Sequence, residues 1–188
     1  MASNSIFREL PRDIAAVVFH GKSYIFFVNS NHELCYLRSP QGSNKDFEHH
    51  IVEVKNGNLK VKCGSRQVAA MAWMGDKQQE IRIYCVAPED GQCEKRGYIQ
   101  EVAFNRANGW ELGTLGYDDP KQWIDSDASL SSCALVWPDK PNQPDLSLFV
   151  SGKDQRGCPK VARYFYDWHT NSGTWVEDGV ISKKVSNW

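Results

Sequence analysis

The amino-acid sequence predicts an all-β protein, and three observations support this fold class. Short runs rich in Val, Ile, Tyr, Phe and Trp recur along the 188 residues, and clusters of Gly, Asn, Asp and Pro separate them. No segment keeps the i, i+3, i+4, i+7 spacing of apolar residues for more than about two turns of helix. The runs also recur in a fixed order, which indicates an internal repeat.

Each of three repeats begins with a run of small and apolar residues that ends on an aromatic residue. These first strands are predicted at 15–19, 69–73 and 133–137. The later strands follow at 24–28, 33–37 and 50–54, at 81–86, 98–104 and 109–113, and at 146–150, 161–166 and 173–179. Four short antiparallel strands in about 55–65 residues are typical of a β-propeller blade. A sandwich of two larger sheets is the alternative, but the repeated order of strands favours blades.

The predicted domain covers 1–188, with blade-like units at roughly 12–66, 67–118 and 128–183. Propellers typically contain about four to eight blades, so three blades do not close a ring. An open arc would leave exposed sheet edges, which proteins avoid. We therefore expect two chains to form a six-bladed ring as a homodimer.

Charge and composition argue against several classes of partner. The net charge is −1 and no long basic run occurs, which disfavours nucleic acid and anionic membranes. No window of about 20 apolar residues predicts a membrane span. The N-terminus lacks the apolar core of a secretory signal, so we expect a cytoplasmic protein. The six cysteines include no C-x-x-C pair and no zinc spacing, so we expect free thiols, no metal and no cofactor.

The second repeat contains the most specific motif in the chain. It reads IRIY at 81–84, IQEVAF at 99–104 and NGWELG at 108–113. This pattern resembles the blade motif of the fungal and bacterial fucose-specific lectins, which has the form I-R-x-Y, I-x-E-x-x-W and G-W-x-x-G. The resemblance implies a six-bladed ring, built from one chain or from several shorter chains, that binds fucose in clefts between adjacent blades.

The resemblance also implies roles for individual residues. Arg82 and Glu101 match the Arg and Glu that bind the hydroxyls and ring oxygen of the sugar, and Tyr84 belongs to the same motif. Phe104 and Trp110 match the aromatic residues that stack on a sugar held by the preceding blade. The residue types suit this task, because a carboxylate accepts two hydroxyls, a guanidinium is a fixed fork of donors, and an aromatic ring covers the C–H face of a sugar.

The other two repeats keep aromatic residues but not the polar pair. Trp168 and Trp175 match the aromatic positions in the third repeat. The residues at the Arg and Glu positions are Ile25 and Tyr36 in the first repeat and Ser147 and Phe165 in the third. The resemblance therefore implies one complete cleft per chain, between the second and third repeats. The connection at 87–97 is longer than the tight hairpin of the family, and we expect it to shield or reshape the cleft.

Two other interpretations compete with a fucose-binding lectin. A cleft that has lost its polar pair suits a small apolar metabolite, so the chain is alternatively a small-molecule-processing enzyme, such as a cyclase, dehydratase or cycloaddition catalyst of secondary metabolism. The candidate proton carriers are Glu101, Tyr36, Tyr84, Tyr164 and the histidines. In the other interpretation, Arg82 and Glu101 form only a salt bridge between strands, and the chain is an interaction protein without a small ligand.

Overall fold

The computed structural model describes residues 13–43, 45–55, 57–75, 79–92, 95–117, 121–125, 127–153, 156–169 and 173–180. Within these residues the chain forms three antiparallel sheets, each built around a meander of four consecutive strands. This architecture confirms the prediction of an all-β chain with three four-stranded units.

The bounds of the strands follow the repeat closely. The first sheet contains β1 (Ile14–Phe19), β2 (Lys22–Val28), β3 (Leu34–Arg38) and β4 (Glu48–Ile51), followed by a hairpin of β5 (Glu53–Val54) and β6 (Gly57–Asn58). The second contains β7 (Val68–Met74), β8 (Gln79–Pro88), β9 (Gly97–Asn105) and β10 (Gly109–Leu112), and β11 (Trp123–Ile124) also pairs with β9. The third contains β12 (Leu130–Trp137), β13 (Lys140–Lys153), β14 (Pro159–Asp167) and β15 (Thr174–Val180).

Helical structure is limited to two short turns in the described residues. These are a 3₁₀ turn at Glu89–Gly91 and a single turn, α1, at Thr114–Tyr117. No helix in this part of the chain has the length and apolar character needed to traverse a bilayer.

The first hairpin shows how local sequence sets the strand register. His20 and Gly21 form the two-residue loop between β1 and β2, and both have positive φ angles, 50° and 69°. A two-residue hairpin of type I′ has positive φ at both positions, which matches the twist of its strands, and glycine adopts that conformation without strain. The loop therefore fixes the pairing of Phe19 with Lys22 and of Val17 with Tyr24.

The second sheet lies between the other two. Its first strand, β7, contacts both β1 and β12, so the first strands of the three sheets lie together at the inner edge of the arc. Alternation along the strands then builds two cores, one on each face of the second sheet. Ile83 packs towards Phe26 in the first core, and Ile99 packs towards Leu148 in the second; all four are at most 1% exposed. Burial of each such side chain contributes about 1.5–3 kcal/mol.

The cysteines differ from the expectation of free thiols at one position. Cys63 is disulfide-bonded, whereas Cys35, Cys85, Cys133 and Cys158 are not. The expectation was wrong for Cys63 because it rested on the cellular compartment, which does not report which cysteines the fold brings within bonding distance. Cys93 lies outside the described residues. Burial raises the pKa of the Cys35 thiol to about 11 and that of the Cys85 thiol to about 12.

Candidate functional site

Arg82 and Glu101 lie on neighbouring strands of the second sheet and face the third. Tyr84 on β8 is directly opposite Glu101 on β9, and Arg82 is two residues before Tyr84 on the same face. The intervening Ile81 and Ile83 point the other way, into the core with the first sheet. The motif IRIY therefore divides into two apolar residues for one interface and two polar residues for the other, as the two-residue period of a strand requires.

Glu101 is completely buried and has hydrogen-bond donors on both carboxylate oxygens. Its Oε1 accepts from Arg82 Nη1 at 2.9 Å and from the Tyr84 hydroxyl at 3.1 Å. Its Oε2 accepts from Trp175 Nε1 on the third sheet at 3.2 Å, and from Leu115 N and Thr114 Oγ1 at 3.4 Å. The side chain has 0% exposure. These hydrogen bonds therefore replace the ones to water that the carboxylate loses when it is buried.

The final glycine of the motif makes room for this carboxylate. A Cβ atom placed on Gly113 would overlap Oε2 and Cγ of Glu101. The Gly113 amide also donates to the Glu101 carbonyl at 3.0 Å. Only glycine therefore allows β10 to approach β9 closely at this point.

Two carboxylates and two aromatic rings surround the Arg82 guanidinium. Its Nε and Nη2 each lie 3.0 Å from Glu80 Oε2, while Nη1 binds Glu101. The Cζ atom is 5.3 Å from the Trp73 ring centroid and 4.9 Å from that of Tyr166. Burial alone lowers the pKa of Arg82, but the nearby Glu101, Tyr84 and Glu80 outweigh it and raise the pKa. Arg82 is therefore a permanent buried cation.

Tyr84 acts as a hydrogen-bond donor in this cluster. Burial, and then the negative charge of Glu101, raise the pKa of its phenol well above the ordinary value. The hydroxyl therefore stays protonated at neutral pH and donates a hydrogen bond to Glu101. This environment argues against Tyr84 as a general base.

The two tryptophans of the third sheet have different environments. Trp175 is buried and meets the ring of Tyr84 edge-on, with 5.6 Å between ring centroids. Trp168 is only half-buried, donates its Nε1 to Pro144 O at 2.8 Å and packs edge-on against Tyr166 at 4.7 Å. Trp168 therefore presents a partly exposed aromatic surface at the mouth of the cleft, whereas Trp175 is part of the enclosed network.

Phe104 and Trp110 lie on the opposite face of the second sheet. They contact each other at 4.9 Å, and Trp110 also contacts Tyr36 at 5.6 Å and Phe26 at 5.9 Å on the first sheet. The residues matched by the motif are thus divided between two clefts. Arg82, Tyr84, Glu101, Trp168 and Trp175 belong to the second cleft, between the second and third sheets.

The sheet register corrects one of the sequence matches and shows that two others are inconsistent with each other. Ile25 was matched to the position of Arg82, but it lies on the outer face of the first sheet, opposite Leu37. Tyr24 occupies the corresponding position, because it is two residues before the partner of Tyr36. In the third sheet Ser147 is directly opposite Phe165, whereas Arg82 and Glu101 are offset by one pair, so the matches of Ser147 and Phe165 cannot both hold. Ile25 and Tyr24 differ by one step of strand alternation, and neither is an arginine.

The first cleft, between the first and second sheets, contains two cavities that the motif did not reveal. One, of about 780 Å³, is lined by Tyr36, His49, His50 and Trp110, among others. The other, of about 520 Å³, is lined by basic and aromatic side chains that include Tyr24, Phe104 and Arg106. The tyrosines at the Arg and Glu positions therefore border open cavities, whereas Glu101 in the second cleft is enclosed.

The described part of the long connection after β8 begins at the end of that strand farther from Arg82, and its shielding of the second cleft stays a prediction. Its 3₁₀ turn, Glu89–Gly91, follows the end of β8 at Pro88, and Arg82 lies near the start of that strand. Pro88 is six residues further along the strand than Arg82, a distance of about 20 Å. Among the described residues, no group of three or more His, Cys, Asp or Glu side chains is arranged to hold a metal ion.

Comparison with known proteins supports the β-propeller fold. No protein-family profile matches the chain, and no curated protein matches its sequence significantly. Among solved structures it is similar to the fucose-specific lectin from Aleuria aurantia in its mercury-derivative form, with a TM-score of 0.61 and 18% sequence identity. The match covers 89% of this chain and 48% of that one, so this chain spans about half the length of the lectin. The likeness confirms the fold that the motif implied.

The Arg82–Glu101 pair is expected to be essential for stability. Arg82→Met leaves the buried Glu101 without its counter-ion and should lower the free energy of unfolding by about 3–5 kcal/mol. Adding Glu101→Gln removes the uncompensated charge and should recover much of that loss. Urea unfolding would measure both.

The exposed pair of Arg38 and Glu48, 2.6 Å apart, supplies the control. Arg38→Met should cost at most about 1 kcal/mol, because solvent screens a surface pair. Equal losses for the two arginine variants would contradict the role assigned to burial.

Proposed function

We propose that the chain is a lectin-like carbohydrate-binding protein with one site for fucose-type sugars, in the second cleft. One observation supports this most directly. Arg82 and Glu101 are held together opposite Trp168 and Trp175 of the next sheet, on a fold similar to that of a fucose-specific lectin. The proposed partner is therefore a fucosylated glycan.

The burial of Glu101 determines how a sugar would bind. Glu101 is enclosed, so we assign it to positioning Arg82. The side chains of Arg82 and Glu80 keep 10% and 17% exposure, and Arg82 contacts the ring of Tyr166, which in turn contacts Trp168. Sugar hydroxyls would bind to Glu80 and Arg82, and an apolar sugar face would stack on Trp168. With few accessible groups, we expect a dissociation constant on the order of 1 mM, or about −4 kcal/mol.

We also propose that two copies of the chain close the ring as a homodimer. Ile14 and Val18 on the outer face of the first sheet are 67% and 71% exposed, and Leu135 and Trp137 on the outer face of the third are 51% and 44% exposed. Such apolar surfaces usually mark interfaces. The third sheet of one copy would cover the first sheet of its partner, as successive sheets pack within the chain. A two-fold axis generates both contacts at once.

The large cavity of the first cleft supports a second candidate function, processing of a small metabolite. His50 stacks on Tyr36, with 4.9 Å and 19° between the rings, and its Nε2 is 3.4 Å from Glu48 Oε2. A carboxylate that orients a histidine beside an aromatic pocket is an arrangement used in proton transfer. The other candidate proton carriers suit it less: Glu101 is enclosed, and burial, with Glu177 nearby, raises the pKa of Tyr164 to about 12.

Isothermal titration with L-fucose tests the proposed lectin function. We expect millimolar binding by the folded protein and at least a tenfold loss in Trp168→Ala and in Glu80→Gln, which remove the stacking surface and a hydroxyl acceptor. Trp123→Ala removes a tryptophan that is 40% exposed on β11 and serves as the matched control. Absence of heat from the wild-type protein at tens of millimolar fucose would reject the site.

Light scattering after size exclusion tests the homodimer. The wild type should have twice the chain mass of 21.4 kDa, and Val18→Asp should have the single-chain mass because it buries a charge in the interface. Asn31→Asp adds the same charge on an exposed loop and should remain dimeric. Dimerisation should also slow alkylation of Cys133, which shares the outer face with Leu135, relative to Cys158. A wild-type monomer would contradict the proposal.

The enzyme alternative can be tested without a known substrate. A pool of small metabolites is incubated with the wild type, His50→Gln and Trp168→Ala, and followed by mass spectrometry. The alternative expects compounds that the wild type and Trp168→Ala consume and that His50→Gln does not. If all three samples keep the same compounds, the cavity has no activity on that pool.

A further inference from the structure

The smaller cavity of the first cleft has an unbalanced positive charge. Its charged lining comes from Lys22, Arg38 and Arg106, with His20 beside them. No aspartate or glutamate is among the described residues that line it. A concave basic surface with apolar walls concentrates anions, because the walls weaken dielectric screening.

Only one of these cations has an internal counter-ion. Arg38 Nη2 lies 2.6 Å from Glu48 Oε2. Lys22 and Arg106 form no ion pair with any carboxylate in the described part of the chain. Their charges are therefore available to a ligand in the cavity.

The turn after β9 holds Arg106 beside the cavity. Asn105 Oδ1 accepts from Ala107 N at 3.0 Å and from Asn108 N at 2.8 Å, which closes the turn. Arg38 is directly opposite Tyr24 in the first sheet. Burial raises the pKa of the Tyr24 phenol, and both Arg38 and Arg106 are near enough to lower it in part. The two guanidinium groups therefore line the same cavity as this hydroxyl and lie within electrostatic range of it.

Aromatic rings supply the other half of the site. Phe104 and Tyr24 line the cavity, and Phe19 joins them, with ring centroids 6.2 Å from Phe104 and 6.4 Å from Tyr24. Tyr24 occupies the position that Arg82 has in the second cleft. The first cleft thus has surfaces on which a sugar ring can stack. Its cations lie at other strand positions than that of Arg82 in the second cleft.

We propose that this cavity binds an acidic monosaccharide, a uronic acid, whose carboxylate is held by Arg106 and Lys22. The guanidinium of Arg106 presents paired donors that match a carboxylate, Lys22 adds a point charge, and Phe104 and Tyr24 contact the apolar face of the sugar. The inference extends the proposed carbohydrate function to a second cleft and a second class of sugar.

Titration with sodium D-glucuronate tests this site, with D-glucose and sodium acetate as partial ligands at equal ionic strength. Glucuronate should bind at least tenfold more tightly than either, because only it has both the carboxylate and the sugar ring. Arg106→Gln should weaken glucuronate binding at least tenfold. Arg96→Gln makes the same charge change at an exposed arginine, 4.4 Å from the Trp123 ring, and should leave binding unchanged.

Three results would overturn the inference. They are no glucuronate binding by the folded wild type, equal binding of glucuronate and acetate, and equal losses in Arg106→Gln and Arg96→Gln. Circular dichroism establishes that each variant is folded. Trp168→Ala separates this inference from the proposed fucose site, because it should reduce fucose binding and leave glucuronate binding intact. If the wild type binds fucose but not glucuronate, only the uronic acid site is rejected. If it binds glucuronate but not fucose, only the fucose site is rejected.

Discussion

The arrangement of the second and third sheets depends on one buried carboxylate. Glu101 would cost several kcal/mol to remove from water if it were unpaired. Its donors come from three places: Arg82 and Tyr84 on the adjacent strand, the backbone turn after β10, and Trp175 on the next sheet. Moving any of these elements would take donors away from a buried charge. The network therefore selects one register between the two sheets from the many that apolar packing alone would allow.

The two clefts show how one strand pattern produces different chemistry. In the second cleft Arg82 and Glu101 belong to an enclosed set of hydrogen bonds, and the bond from Trp175 to Glu101 links the two sheets. In the first, Tyr24 and Tyr36 occupy those positions, and their rings pack at 5.9 Å without needing a counter-charge. The charged groups there come instead from the strand ends and the turn that contains Arg106. The second cleft therefore has an enclosed polar centre, whereas the first has an aromatic surface with cations at its border.

Alternation and repeat order account for most of what sequence could predict. They identify the strands, the three units and the shared face of Arg82 and Glu101, because all of these follow from the two-residue period of a strand. The match of Ile25 to Arg82 is wrong because a shift of one residue along a strand leaves an apolar pattern intact. Glu80 is absent from the predicted site because it precedes the family motif by one residue, although the two-residue period of the strand places it on the same face as Arg82. The donors at Thr114 and Leu115 depend on how a turn folds back, which strand periodicity does not encode.

The contact between Gly113 and Glu101 also constrains how this sequence can change. Any side chain at 113 would collide with the carboxylate while Glu101 is present. Replacement of Glu101 by a smaller residue would remove the collision and make many residues acceptable at 113. Substitutions in the reverse order must pass through a protein in which the carboxylate is displaced from its donors. The accessible route is therefore directional: the charge is lost first and the glycine later, and once position 113 is filled, return of the glutamate alone is blocked.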